Sequence, residues 1–217
     1  MRAAFSIADH RAVLADALLP RATLVQNVLL VVAGSLLMAF CSQVSLPLPF
    51  SPVPVTGQTF AVLLLGATLG ARRSAAALIL YLAQGVAGLP VFAPGGLPGA
   101  ARLLGPTGGY LLAFPLAAFV LGYLVERPQA PGPKKPAPPE REARRRGWFY
   151  WLGAVLLAEG VIFAAGVTWL KHIGAVSWAD AASAGLLPFV PGELMKVALV
   201  SACLPASWWA VHRARDE

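Results

Sequence analysis

Apolar residues along this chain fall in long, nearly unbroken runs, not at the period of one buried helix face or strand face. A bilayer-spanning helix needs about 20 mostly apolar residues, within a range of roughly 17–25. On that measure the runs predict six spans. They cover Ala22 to Cys41, Thr59 to Gly70, Ser74 to about Leu89, about Thr107 to Val125, Trp148 to about Leu170, and about Pro188 to Val211. The second is cut short by Arg72-Arg73 and is expected to be partial or tilted. The predicted fold class is an all-α membrane protein, a six-helix bundle with both termini cytoplasmic. The predicted organisation is an N-terminal segment over 1–21, a membrane domain over 22–211 and a tail over 212–217. No repeat of 20–50 residues is visible.

The segments between the runs differ in kind. Ser42 to Gln58 carries Pro47, Pro49, Pro52 and Pro54. Proline fixes φ and lacks an N–H, so this stretch is not helical. It is also too apolar for a solvated tether, and irregular backbone at membrane depth must be buried in protein or line a cavity. It is therefore expected to fold as a lid over the outer face. Gly88 to Gly108 is Gly/Pro-rich in the same way. The segment 128–147 is Pro-rich and then basic, as expected of a solvated cytoplasmic linker held at an anionic lipid surface.

Composition agrees with the pattern. The chain has 217 residues, 58% hydrophobic and 12% charged, with mean hydropathy +0.68. A soluble domain carries about 25% charged residues. The net charge of +7 does not imply nucleic acid, because the basic residues form no single stripe. With the N-terminus placed in the cytoplasm, every Lys and Arg except Arg102, Lys171 and Lys196 falls on the inner side. That bias requires an even number of spans. Met1 to Pro20 contains Asp9 and Asp16, which a signal-peptide core would exclude, so the first span is expected to direct insertion. Cys41 and Cys203 match no metal spacing, and their expected role is packing.

Charge inside a span costs at least about 2.5–3.5 kcal/mol per residue on insertion scales. Three ionisable residues fall there: Glu159, Glu193 and Lys196. Glu193 and Lys196, spaced i, i+3, share a helix face and can touch. They follow Pro191, where a helix can start because the first turn needs no N–H from proline. Two readings apply to the pair. It can neutralise itself and lock helix packing, or it can bind a small polar ligand, the carboxylate accepting N–H groups and the ammonium pairing with an acid. Glu159, near the middle of the fifth span, is either a protonated carboxyl bonded to a neighbouring helix or an acid–base group. Ser35 and Ala39 have small-xxx-small spacing, which serves either packing within the bundle or docking of another membrane subunit. There is no GxxxxGK[ST], HExxH, GxSxG or Cys/His cluster, and His10, His172 and His212 form no triad, so no catalytic or metal site is expected.

Three stretches together resemble the BioY family, the biotin-capturing S components of energy-coupling-factor (ECF) vitamin transporters. They are SPVPVTGQTFAV from Ser51 to Val62; Tyr81-Leu82 with Gly88-Leu89-Pro90-Val91-Phe92 and LLGPTGGY from Leu103 to Tyr110; and Pro188-Phe189-Val190-Pro191-Gly192-Glu193-Leu194-Met195-Lys196. The family usually has Asp where this chain has Glu193, which keeps the charge and moves the oxygens by one methylene. The resemblance implies a six-helix protein of the bacterial cell (inner) membrane with an outward biotin pocket, a first outer loop acting as lid, and Glu193 and Lys196 touching the ligand. It implies pocket positions for Thr56, Gln58, Tyr81 and Tyr110, with the lid around Phe50 covering the ligand's thioether ring. As partners it implies membrane lipid, a transmembrane coupling subunit and two ATPase subunits. ATP would be bound only on those subunits, with no cofactor on this chain. A solitary biotin transporter, or an S component for another vitamin, remains open on the same residues, as do a membrane enzyme using Glu159 and a purely structural subunit.

Overall fold

The computed structural model describes residues 13–127 and 140–216. Much of the expected N-terminal segment and of the basic loop, residues 1–12 and 128–139, and residue 217 of the expected tail lie outside the described residues. A short helix α1 (Leu14–Leu18) precedes α2 (Leu24–Gln43). Thr23 starts α2 with a capping box: its hydroxyl accepts from Gln26 N, and its N–H donates to Gln26 Oε1 at 2.8 Å. That satisfies backbone donors which the first helical turn leaves free.

The Pro-rich segment that follows is not purely irregular, as the all-α expectation implied. β1 (Ser45–Leu46) pairs antiparallel with β2 (Val55–Thr56), in the register Ser45↔Thr56 and Leu46↔Val55. Prolines between the strands cannot donate to the ladder, which keeps it two residues long. At Gly57 a Cβ would lie 2.8 Å from Cys41 O. Only a residue without a side chain lets the returning chain lie this close to the end of α2.

Helix α3 (Gln58–Leu69) lies at the centre, with Ala61, Val62, Leu63 and Leu65 buried and with α2, α4, α6 and α9 packed around it. At about 1.5 Å rise per residue, its 12 residues are too short to cross a hydrocarbon core of about 30 Å. After the turn at Gly70 comes α4 (Ala71–Val86). The next segment contains a one-turn helix α5 (Ala101–Leu104), and then α6 (Gly108–Glu126) and α7 (Glu140–Gly174) pack side by side. Helix α7 begins ahead of Trp148, so the basic end of the expected linker is helical.

Among the described residues, four stretches are long and apolar enough to cross a membrane: Leu24–Gln43, Gly108–Glu126, Gly147–Gly174 and Trp178–Cys203. The architecture is thus a mostly helical bundle with four such stretches around shorter, more buried helices. The last stretch is broken into α8 (Trp178–Gly185), a 3-10 turn over Leu187–Phe189 and α9 (Val190–Asp216). Ser177 caps α8 by accepting from Asp180 N. Asp180 therefore sits in a first helical turn, where a carboxylate is favoured.

At the other end of α3 from its first turn, Arg73 on α4 pairs with Asp16 Oδ1 of α1 at 2.6 Å and donates to Asn27 Oδ1 of α2 at 2.7 Å. Nearby, Glu126 at the end of α6 accepts from Ala71 N at 2.9 Å, filling one of the orphan donors of α4.

Candidate functional site

Glu193 and Lys196 lie in the opening turns of α9, as their spacing after Pro191 predicted, and they touch. Lys196 Nζ is 2.7 Å from Glu193 Oε1. Thr59, in the first turn of α3, joins them: its hydroxyl donates to Glu193 Oε2 at 2.7 Å and accepts from Lys196 Nζ at 2.8 Å. All three side chains are buried. The closed ring lets each group meet the others' charge or dipole, which a buried ion pair requires to be tolerated. It also leaves capacity for a ligand. An ammonium has three donors and a carboxylate about four acceptor positions, and the ring uses only two of each.

The ring opens into a recess of about 520 Å³, part of it continuous with solvent. Val53 and Pro54 from the hairpin cover one side, and Tyr110, Phe114, Phe163 and Phe189 form an aromatic wall. Phe163 meets Tyr110 edge-on with centroids 6.1 Å apart and Phe189 at 6.0 Å. Apolar walls keep water from competing, which strengthens the few polar contacts inside.

Five of the six expected ligand residues, Glu193, Lys196, Gln58, Thr56 and Tyr110, line this recess. Thr56 Oγ1 donates to Gln58 Oε1 at 3.0 Å. Gln58 Nε2 donates to the hydroxyl of Tyr81 at 2.8 Å. Tyr81 does not line the recess; it is fully buried behind Gln58, against the edge of Phe92, and orients the amide. Phe50 is 67% exposed, so Val53 and Pro54, not Phe50, are the parts of the hairpin that face inward.

Among the lining residues outside the expected set are Thr59 and Arg102. Thr59 belongs to the SPVPVTGQTFAV stretch. Arg102 belongs to the Gly/Pro-rich segment between α4 and α6. It is buried, lines the recess and donates to Ala93 O at 2.9 Å. Burial pulls its guanidinium below the usual pKa, but an arginine remains charged at any working pH. No carboxylate pairs with it among the described residues.

Ser35 is 0% exposed and donates to Val32 O. Ala39 is half-buried against the core. Beside them Gly34 approaches Ala77 of α4 so closely that a Cβ would lie 2.9 Å from its methyl. A fully buried hydroxyl offers no outer docking stripe, and these small residues serve the close approach of the chain's own helices. Glu159 is 7% exposed. It lies within electrostatic reach of Glu193 and Lys196, but neither of its carboxyl oxygens has a hydrogen-bond partner among the described residues. Its carboxyl faces that of Glu193 on the neighbouring helix α9, without a hydrogen bond of good geometry. No group of three His, Cys, Asp or Glu residues that could hold a metal occurs among the described residues.

The BioY family model matches residues 11–213. The biotin transporter BioY of Rhizobium etli is 35% identical over 157 residues, covering 72% of this chain and 78% of that relative. The biotin transporter BioY2 of Lactococcus lactis is 34% identical over 179 residues, covering 82% and 88%. A crystal structure of the S-component for biotin from an ECF-type ABC transporter matches with a TM-score of 0.67 at 24% identity, covering 89% of this chain and 92% of that one. At that identity the likeness concerns the fold. On the span of the family model and the identity of these relatives, the chain belongs to the BioY family.

Proposed function

We propose that this chain captures biotin in the recess beneath the hairpin and is the substrate-binding component of a biotin uptake transporter, not an enzyme. The observation that carries the reading is the buried Glu193–Lys196–Thr59 ring opening into an apolar recess that also holds Arg102. Biotin has a ureido ring with N–H donors and a carbonyl, an apolar thioether ring, and a valerate carboxylate. Glu193 accepts from the ureido N–H groups, while Lys196, with one donor that the ring leaves unused, is placed to donate to its carbonyl. Arg102, a buried cation that no carboxylate pairs with among the described residues, is the group best suited to the valerate. The aromatic wall takes the thioether ring and the aliphatic chain.

The same reading takes α2, α3, α4, α6, α7 and α9 as six membrane helices, α3 a partial span that crosses only together with the irregular segment before it, with both termini cytoplasmic in the bacterial inner membrane. The charge bias supports that orientation. A transmembrane coupling subunit and two ATPase subunits are the expected partners, since the chain has no phosphate-binding motif of its own.

The test is calorimetric titration of the detergent-purified chain with biotin against a panel of other vitamins. Tight biotin binding that no other vitamin displaces at lower concentration is the expected result. Absence of biotin binding, or preference for another vitamin, overturns the reading. Mass spectrometry after mild-detergent affinity purification tests the partners: co-purified ATPases support the coupled complex, while the chain alone driving uptake in liposomes supports a solitary transporter.

A further inference from the structure

A helix ends with four backbone carbonyls that its own turns cannot use. At the end of α8 two adjacent ones are taken by side chains from distant parts of the chain. Ser51 Oγ, at the tip between β1 and β2, donates to Ala184 O at 2.7 Å. Tyr110 OH donates to Gly185 O at 2.7 Å. A Cβ at Gly185 would stand 2.4 Å from the Tyr110 hydroxyl, so that contact depends on glycine. Ser51 Oγ also accepts from Val53 N at 3.1 Å, which orients Val53, one of the two hairpin residues with Pro54 that roof the recess.

One junction thus touches the roof, the aromatic wall and, through Leu187–Phe189, the start of the helix that bears Glu193 and Lys196. Apart from Val53, buried in the apolar core, and Val55, packed against it, the hairpin has few other anchors. Its ladder is two residue pairs long, and among the described residues the Ser51 bond is the only hydrogen bond from 45–55 to another element. Pro49, Pro52 and Pro54 stiffen the tip.

We propose that the Ser51 hydroxyl is the latch of this roof: by fastening the hairpin tip to the C-terminal carbonyls of α8, it sets how long the ligand stays in the recess. The proposal rests on the biotin reading of that recess. Opening the roof breaks the Ser51–Ala184 bond, and the ligand needs that opening to leave. Loss of the hydroxyl therefore speeds dissociation and does not slow entry.

The experiment compares Ser51→Ala and Ser51→Thr with the unaltered full chain in detergent. It measures biotin association and dissociation rates, and amide hydrogen exchange over residues 45–56 in the ligand-free protein. For Ser51→Ala the dissociation rate should rise about fivefold, the scale of one neutral hydrogen bond, and association should not slow. Exchange over the hairpin should quicken. Ser51→Thr, which keeps the hydroxyl, should restore both. An unchanged dissociation rate in Ser51→Ala, or equal effects of the two substitutions, overturns the latch. If the unaltered chain does not bind biotin, the biotin reading fails separately. The exchange measurement then decides alone: faster hairpin exchange in Ser51→Ala supports the latch, and unchanged exchange overturns it.

Discussion

Two ion pairs stand near opposite ends of α3, and by distance alone they are the same object. Lys196–Glu193 is 2.7 Å long with side chains 9% and 10% exposed. Arg73–Asp16 is 2.6 Å long with side chains 22% and 43% exposed. Their surroundings separate them. The first is shared with Thr59 and walled by aromatic rings, so each charge depends on its partners for what water would otherwise supply. The second is half-solvated and ties α1 to the start of α4. Water screens it, and exposed pairs of that kind contribute little to stability. Burial, not contact geometry, marks which pair can recognise a ligand.

The sharpest way to break this comparison is to remove one partner from each pair. Lys196→Ala or Glu193→Ala should weaken biotin binding by about 2 kcal/mol, roughly 30-fold, or more, as expected when a charged hydrogen bond is lost. Calorimetric titration checks this, and normal affinity in both variants would sink the site assignment. Thr59→Val keeps the volume and removes both bonds of the bridging hydroxyl, so affinity should fall by about 1 kcal/mol in the same titration.

Arg73→Gln should leave biotin affinity unchanged and lower thermal stability by only about 0.5 kcal/mol, less in high salt. Melting curves at two ionic strengths would measure it, and a loss of biotin affinity would show that the two ends of α3 are coupled. The smallest effect is expected for Glu159→Gln. Glu159 makes no hydrogen bond of good geometry among the described residues and does not line the recess, and an isosteric amide keeps its contact with Glu193, so affinity should change by less than about twofold, well under the scale of one lost hydrogen bond. A large loss would bring Glu159 into the site.

Much of the site was legible in sequence because its parts are local. The i, i+3 spacing of Glu193 and Lys196, with Pro191 starting their helix, put two charges on one face wherever that helix packed. The prolines between Ser42 and Gln58 excluded helix and required a covered, irregular roof, though nothing local announced that Val55-Thr56 would pair with Ser45-Leu46. Resemblance supplied Thr56, Gln58 and Tyr110. It did not separate Tyr81, which supports Gln58 from behind, from residues that face the ligand, because which way a side chain points depends on its neighbours in space.

By itself the sequence determined that the chain lives in lipid, where its long apolar runs lie, and that Glu193 and Lys196 can meet, since hydropathy and helical spacing are properties of the chain taken alone. The rest belonged to the tertiary structure. Only the packing of α3 against α9 brings Thr59 to the ion pair. Only the fold of the Gly/Pro-rich segment turns Arg102 inward, and only the close approach of α2 to α4 buries Ser35. Each joins residues distant in the chain, and no spacing within a single helix encodes a contact between two.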